Sequence, residues 1–100
     1  MINKNQYIAR INDFRESQRL IDDYFYKVAK YIEEEYNKGS EPAYPIKLGS
    51  DMAESFCELT LKEQSSLSAL LREYGWSIRY IEQLSANKVY NRYIELSFAI

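Results

Sequence analysis

From Asn5 to Asn37 the chain carries neither Gly nor Pro, and apolar side chains recur at Tyr7, Ile11, Phe14, Ile21, Phe25, Val28 and Ile32. The steps of 4, 3, 7, 4, 3 and 4 residues form a heptad-like seam, with Gln18 in the one polar place, and predict a long helix over 5–37. A second set, Ile8, Leu20, Tyr24 and Tyr31, widens the stripe to the breadth needed against a sheet or another helix. At 1.5 Å per residue such a helix is roughly 50 Å long, whereas a compact chain of this size is roughly 34 Å across. The helix must therefore bend, near Asn12-Asp13 or Ser17-Gln18, or leave one end free to pack on another chain.

Asn37 to Pro45 ends the helix, with Gly39 expected as a left-handed cap and Pro42 and Pro45 preventing a restart. Ile46-Lys47-Leu48 alternates as a short edge strand over 46–48, closed by Gly49. A helical segment over 51–74 follows. Two start signals, Asp51 with Glu54 and Thr60 with Glu63, divide it into helices over 52–58 and 61–74, the latter burying Leu67, Leu70, Leu71 and Tyr74. The alternation of Cys57, Leu59 and Leu61 leaves a strand over 55–61 as the competing assignment. Gly75 stops the helix, and 76–98 reads as a β-hairpin: strands 76–83 and 89–98 with a turn at Leu84-Ser85-Ala86-Asn87-Lys88. The resulting fold class is α+β, the long first helix and the second helical segment packing on one face of a small three-stranded sheet. Strand parity puts Ile46, Leu48, Trp76, Ile78, Ile94, Leu96 and Phe98 on the buried face, with Arg79 and Glu95 outside.

Composition narrows the chemistry more than it narrows the fold. One hundred residues leave room for a single domain, 1–100. Thirteen Lys and Arg against fifteen Asp and Glu give a net charge of −2, so there is no global positive field for a phosphate backbone. With no His and one Cys, the near-neutral proton shuttle, histidine metal ligands and an internal disulfide are all missing. No cofactor or metal site is expected, since adjacent carboxylates such as Asp22-Asp23 and Glu33-Glu34-Glu35 point about 100° apart on a helix. Cys57, between Phe56 and Leu59, reads as a buried core residue, because the carboxylates Glu54 and Glu58 flank it instead of a base. The polar start of the chain and the absence of a long apolar run place it in the cytoplasm, without a membrane partner.

The wording Leu70-Leu71-Arg72-Glu73-Tyr74-Gly75-Trp76-Ser77-Ile78, with the closing Tyr93-Ile94-Glu95-Leu96-Ser97-Phe98, resembles small accessory proteins encoded by bacteriophages and prophages. Those proteins often run helix, short strand, helix ending in Gly plus an aromatic, then a terminal hairpin. The resemblance implies a non-enzymatic protein in the host cytoplasm that binds a host or phage factor, with inhibition of a defence or replication component as one outcome.

Ten tyrosines remain to be placed. Tyr7, Tyr24, Tyr31 and Tyr74 fall on apolar stripes and are expected at the boundary of the core with wet hydroxyls. Others sit beside basic residues near the hairpin, and exposed Tyr and Arg are the types that most often carry interface energy. Arg79, Tyr90, Arg92 and Tyr93 on the outward hairpin surface, with Tyr44 as an outlier, are therefore the candidate contacts for a protein partner. The competing reading makes the same face a small nucleic-acid platform of Arg79, Lys88, Arg92 and stacked tyrosines. Tyr7, Ile11, Phe14 and Ile21 are the candidates for self-association as a homodimer through the first helix.

Overall fold

The computed structural model describes residues 1–86 and 88–100; Asn87 of the expected turn, and the side chains of Val89 and Tyr90, lie outside that description. The elements run α1 (Lys4–Tyr36), β1 (Ile46–Leu48), α2 (Ser50–Glu58), α3 (Leu61–Glu73), β2 (Trp76–Ser85) and β3 (Lys88–Phe98). The α+β reading holds. The competing strand over 55–61 does not form, because Gln64 Nε2 donates to the carbonyls of both Phe56 and Leu59 and ties the end of α2 to the start of α3.

Helix α1 is a single element. Its N-terminus is closed by a reciprocal box in which Gln6 N donates to Asn3 Oδ1 and Asn3 N donates to Gln6 Oε1. At the other end Asn37, not Gly39, caps the helix: its N–H reaches the carbonyls of Glu33 and Glu35, and no positive φ occurs at Gly39. Glu35 takes over the role expected of the glycine, since its carboxylate accepts from Lys38 Nζ and from Ala43 N and folds the loop back on the helix. The Asp51–Glu54 box does not form either, because the cap of α2 is Gly49, which has no side chain to accept a bond. Thr60 and Glu63 do form theirs, and Gly75, at φ 85°, ends α3 in the left-handed conformation with its N–H on the Arg72 carbonyl.

The sheet has the order β1-β3-β2, antiparallel throughout, so the C-terminal strand is central and β1 is an edge, as Pro45 requires. Ile46 pairs with Leu96 and Leu48 with Ile94 on one side, while Ile78 pairs with Leu96 and Tyr80 with Ile94 on the other. These inward residues meet Met52 and Ala53 of α2, Leu67 and Leu71 of α3, and Ile21, Tyr24 and Val28 of α1 in one buried cluster. Helices α2 and α3 lie on β3 and β2, and α1 packs along α3. Two residues expected on the buried face depart from it. Trp76 is half-buried and Phe98 is exposed, because the sheet runs out under the helices at this end and leaves Phe98 stacked on Tyr44, with ring centroids 4.2 Å apart.

Only a short part of α1 is in the core. Ile21, Tyr24 and Val28 are buried, while Tyr7 and Phe14 are 64% and 67% exposed. The core therefore follows a line through Tyr24 and not the whole seam, and the start of the helix projects past the domain without a bend into it, reaching the start of α3 only from about Arg10 onward, where Arg10, Phe14 and Ser17 line a groove with Thr60 and Glu63. Among the four tyrosines expected at the core boundary, Tyr24 alone is buried; Tyr7, Tyr31 and Tyr74 are exposed. Among the described residues no helix is long and apolar enough to cross a membrane.

Candidate functional site

The face of the sheet turned away from the helices is built by the odd-numbered positions of three strands. Lys47 pairs with Glu95 from one side and Arg79 pairs with Glu95 from the other, so a carboxylate on the central strand stands between two cations. Arg79 Nε lies 4.0 Å from Glu95 Oε1. In the next row Tyr93 pairs with Ile81, and Lys47 Nζ sits 5.3 Å from the Tyr93 ring centroid, within cation–π range. Farther toward the turn, Asn91 Nδ2 donates to Gln83 Oε1. Opposite charges placed directly across strands support pairing by a few tenths of a kcal/mol to about 1 kcal/mol each, which is modest beside the core. These residues are therefore held in place and remain at the surface.

Of the hairpin residues singled out in the sequence, the structure brings Arg79 and Tyr93 together on this face. Arg92 is a correction: it has the parity of Ile94, so it points to the helix side, across the ladder from Glu82. There it meets Tyr80, whose hydroxyl donates to Glu82 Oε1 at 2.6 Å. That bond, followed by burial and the neighbouring Cys57 thiol, pushes the Tyr80 phenol up to about 12. The Tyr80 hydroxyl in turn raises the pKa of Arg92. Tyr90 falls opposite the register shift between Gln83 and Leu84, and its side chain is outside the described residues. Tyr44 is structural: besides stacking on Phe98, its hydroxyl accepts from Phe98 N at 3.0 Å and ties the loop before β1 to the end of β3.

Cys57 is exposed, contrary to expectation. Helix α2 turns Met52, Ala53 and Phe56 to the core, which leaves Cys57 at the rim beside Tyr80. Ile21, expected to serve self-association, is buried in its own chain; Tyr7, Phe14 and the half-buried Ile11 lie on the first half of α1, with Phe14 at the rim of a groove against the start of α3.

Two features escaped the sequence. Lys47 joins the outer face only through the β1–β3 register, although its alternation with Ile46 and Leu48 already marked it as outward. A cleft of about 390 Å³ lies between the second half of α1 and the α3–β2 junction, lined by Phe25, Ala29, Ile32, Tyr36, Tyr74 and Trp76, with Glu33 among its walls. The rings of Phe25 and Tyr74, from its two sides, are 5.5 Å apart between centroids. Among the described residues no cluster of three or more Cys, Asp or Glu is arranged to hold a metal ion. No family model, curated protein or solved structure matches the chain.

Proposed function

We propose that this chain is a non-enzymatic protein-binding module that presents the bare face of its sheet to a protein partner. The observation that carries this reading is the one-sidedness of the fold: α2 and α3 pack on one face with α1 on α3 behind them, while the other face displays Lys47, Arg79, Ile81, Tyr93 and Glu95 with no described helix over them. An aromatic ring and an arginine pre-positioned by cross-strand partners lose little side-chain freedom on binding, which is what makes Tyr and Arg effective at interfaces. The resemblance to phage accessory proteins adds a host or phage factor as the class of partner, and inhibition of that factor as the outcome. The nucleic-acid reading loses ground, because Arg79 and Arg92 lie on opposite faces and cannot line one track for a phosphate backbone.

The test is affinity capture with the immobilised chain and an Arg79→Ala, Tyr93→Ala variant, on extracts treated with nuclease. Loss of the captured protein by the variant is expected, with stability lowered by no more than about 1–2 kcal/mol because only surface cross-strand pairs are removed. Equal capture by both proteins would sink this assignment of the face and return attention to the acidic stretch from Glu33 to Glu41.

A further inference from the structure

Helix α1 carries a second lateral stripe beside the face it turns to the core. At 100° per residue, Tyr7, Ile11, Phe14 and Gln18 fall within about 60° of one another around the axis, and so do Phe25, Ala29, Ile32 and Tyr36, in the same direction. Ile21, Tyr24 and Val28, which fill the core, point about 80° to one side. In the first half Tyr7, Phe14 and Gln18 are exposed, Phe14 and Gln18 at the rim of a groove against the start of α3, and Ile11 is half-buried; in the second half the stripe forms one wall of the cleft that Tyr74 and Trp76 complete.

The steps along the whole stripe are 4, 3, 4, 7, 4, 3 and 4 residues, a series that reads the same from both ends. A second copy laid antiparallel on the first therefore sets Phe14 over Ala29 and Ile11 over Ile32, while Tyr7 meets Tyr36. The large ring of Phe14 faces the smallest residue of the cleft, a knob entering a hole.

Charge selects the same arrangement. Residues 4–19 hold Lys4, Arg10, Arg15 and Arg19 against Asp13 and Glu16, a net +2. Residues 20–37 hold Lys27 and Lys30 against Asp22, Asp23, Glu33, Glu34 and Glu35, a net −3. Antiparallel copies place each positive half on a negative half, whereas parallel copies stack like on like. Area decides in the same direction. A stripe about 45 Å long and 10 Å wide covers about 450 Å² per copy, and Tyr74 and Trp76 at both ends bring the pair to about 1,000 Å², the lower bound for a specific interface. Pairing of the projecting halves alone covers less than about 400 Å², the range of incidental contacts.

We propose that the chain is an antiparallel homodimer in which the exposed stripe on the first half of α1 of each copy occupies the apolar cleft of the other. This surface is separate from the outer sheet face, so the dimer stands or falls independently of the partner-binding reading.

The experiment combines sedimentation equilibrium with disulfide trapping of the full chain. The unaltered protein should be a dimer at about 50 μM, and Phe14→Glu should be a monomer with an unchanged far-UV circular dichroism spectrum, since Phe14 is exposed and outside the core. In a Cys57→Ser background, Phe14→Cys together with Ala29→Cys should link two chains under mild oxidation, and neither cysteine should do so alone. Positions 14 and 29 are about 22 Å apart along one helix, far beyond the reach of a disulfide within the chain. A monomer at that concentration, linkage by Phe14→Cys alone, or a dimer that the double variant fails to trap would each overturn the proposal.

Discussion

Ten tyrosines enter the structure with one chemistry and leave it with several roles. Tyr24 is 4% exposed, and its hydroxyl donates to the Met52 carbonyl at 2.8 Å across the α1–α2 interface. Burial, the larger cause, and the nearby Cys57 push its phenol well above the ordinary tyrosine value, so it stays a neutral donor. Tyr24→Phe keeps the ring and removes the bond; the expected cost is about 1 kcal/mol, read from the urea midpoint, while Tyr31→Phe at an exposed position should leave the midpoint unchanged. Alternation along a strand was sufficient to put Arg79 and Tyr93 on one face with Glu95. It was equally sufficient to put Arg92 on the other, because neighbouring strand residues point to opposite sides; grouping Arg92 with Tyr93 weighed residue type over parity. The roles of Tyr44 and Cys57 had no local signal, since both depend on residues more than twenty positions away.

Element boundaries depend on the competition between caps. Thr60 and Glu63 form a reciprocal box, with Thr60 N donating to Glu63 Oε1 at 2.9 Å and Glu63 N donating to Thr60 Oγ1 at 3.1 Å, whereas the similar Asp51–Glu54 pattern is bypassed by Gly49. The Glu63 side chain also reaches Ser17 on α1, and hydrogen bonding to Ser17 first, then to Thr60, holds its carboxyl below the ordinary glutamate value. A lowered folded-state value means that the ionised carboxylate adds stability above the unfolded value of about 4.3, and that this contribution is lost as pH falls through the lowered folded value. Glu63→Gln keeps an acceptor for the Thr60 N–H and removes the charge. The stability advantage of the unaltered protein over this variant, measured by urea unfolding, should be present near pH 6 and shrink toward about pH 3. An advantage that grew on acidification would contradict the assignment of this carboxylate.

On the scale of the molecule, the length of α1 dominates. The radius of gyration is 16.7 Å and the extents are 58 × 38 × 23 Å, against about 13 Å expected for the radius of a compact chain of this length. The excess is the projecting helix, whose apolar stripe is unpaired within one copy. Amide hydrogen exchange should therefore divide α1 in two. Protection at 21–36 should be independent of protein concentration, while protection at 4–17 should fall on dilution from tens of micromolar to below one micromolar, as the antiparallel pair separates. Uniform protection along the helix at all concentrations would mean that the first half is stable without a second copy.

What the sequence determined by itself is local. A long run without Gly or Pro and with a helical apolar period makes α1; alternation makes β1 and the hairpin; Gly75 and the Thr60–Glu63 box set where α3 ends and begins. Each of these is decided within a few residues by backbone sterics and the first hydrogen bonds, so a linear reading finds them. Only the tertiary structure decided which part of a stripe is core. Along α1 the same apolar period continues from Tyr7 to Ile32, yet burial is confined to Ile21, Tyr24 and Val28, where α2 and α3 lie beneath it. The sheet order that brings Lys47 beside Glu95, and the junction that completes the cleft at Tyr74 and Trp76, have the same origin. Burial is a property of what covers a residue, and the covering elements come from distant parts of the chain.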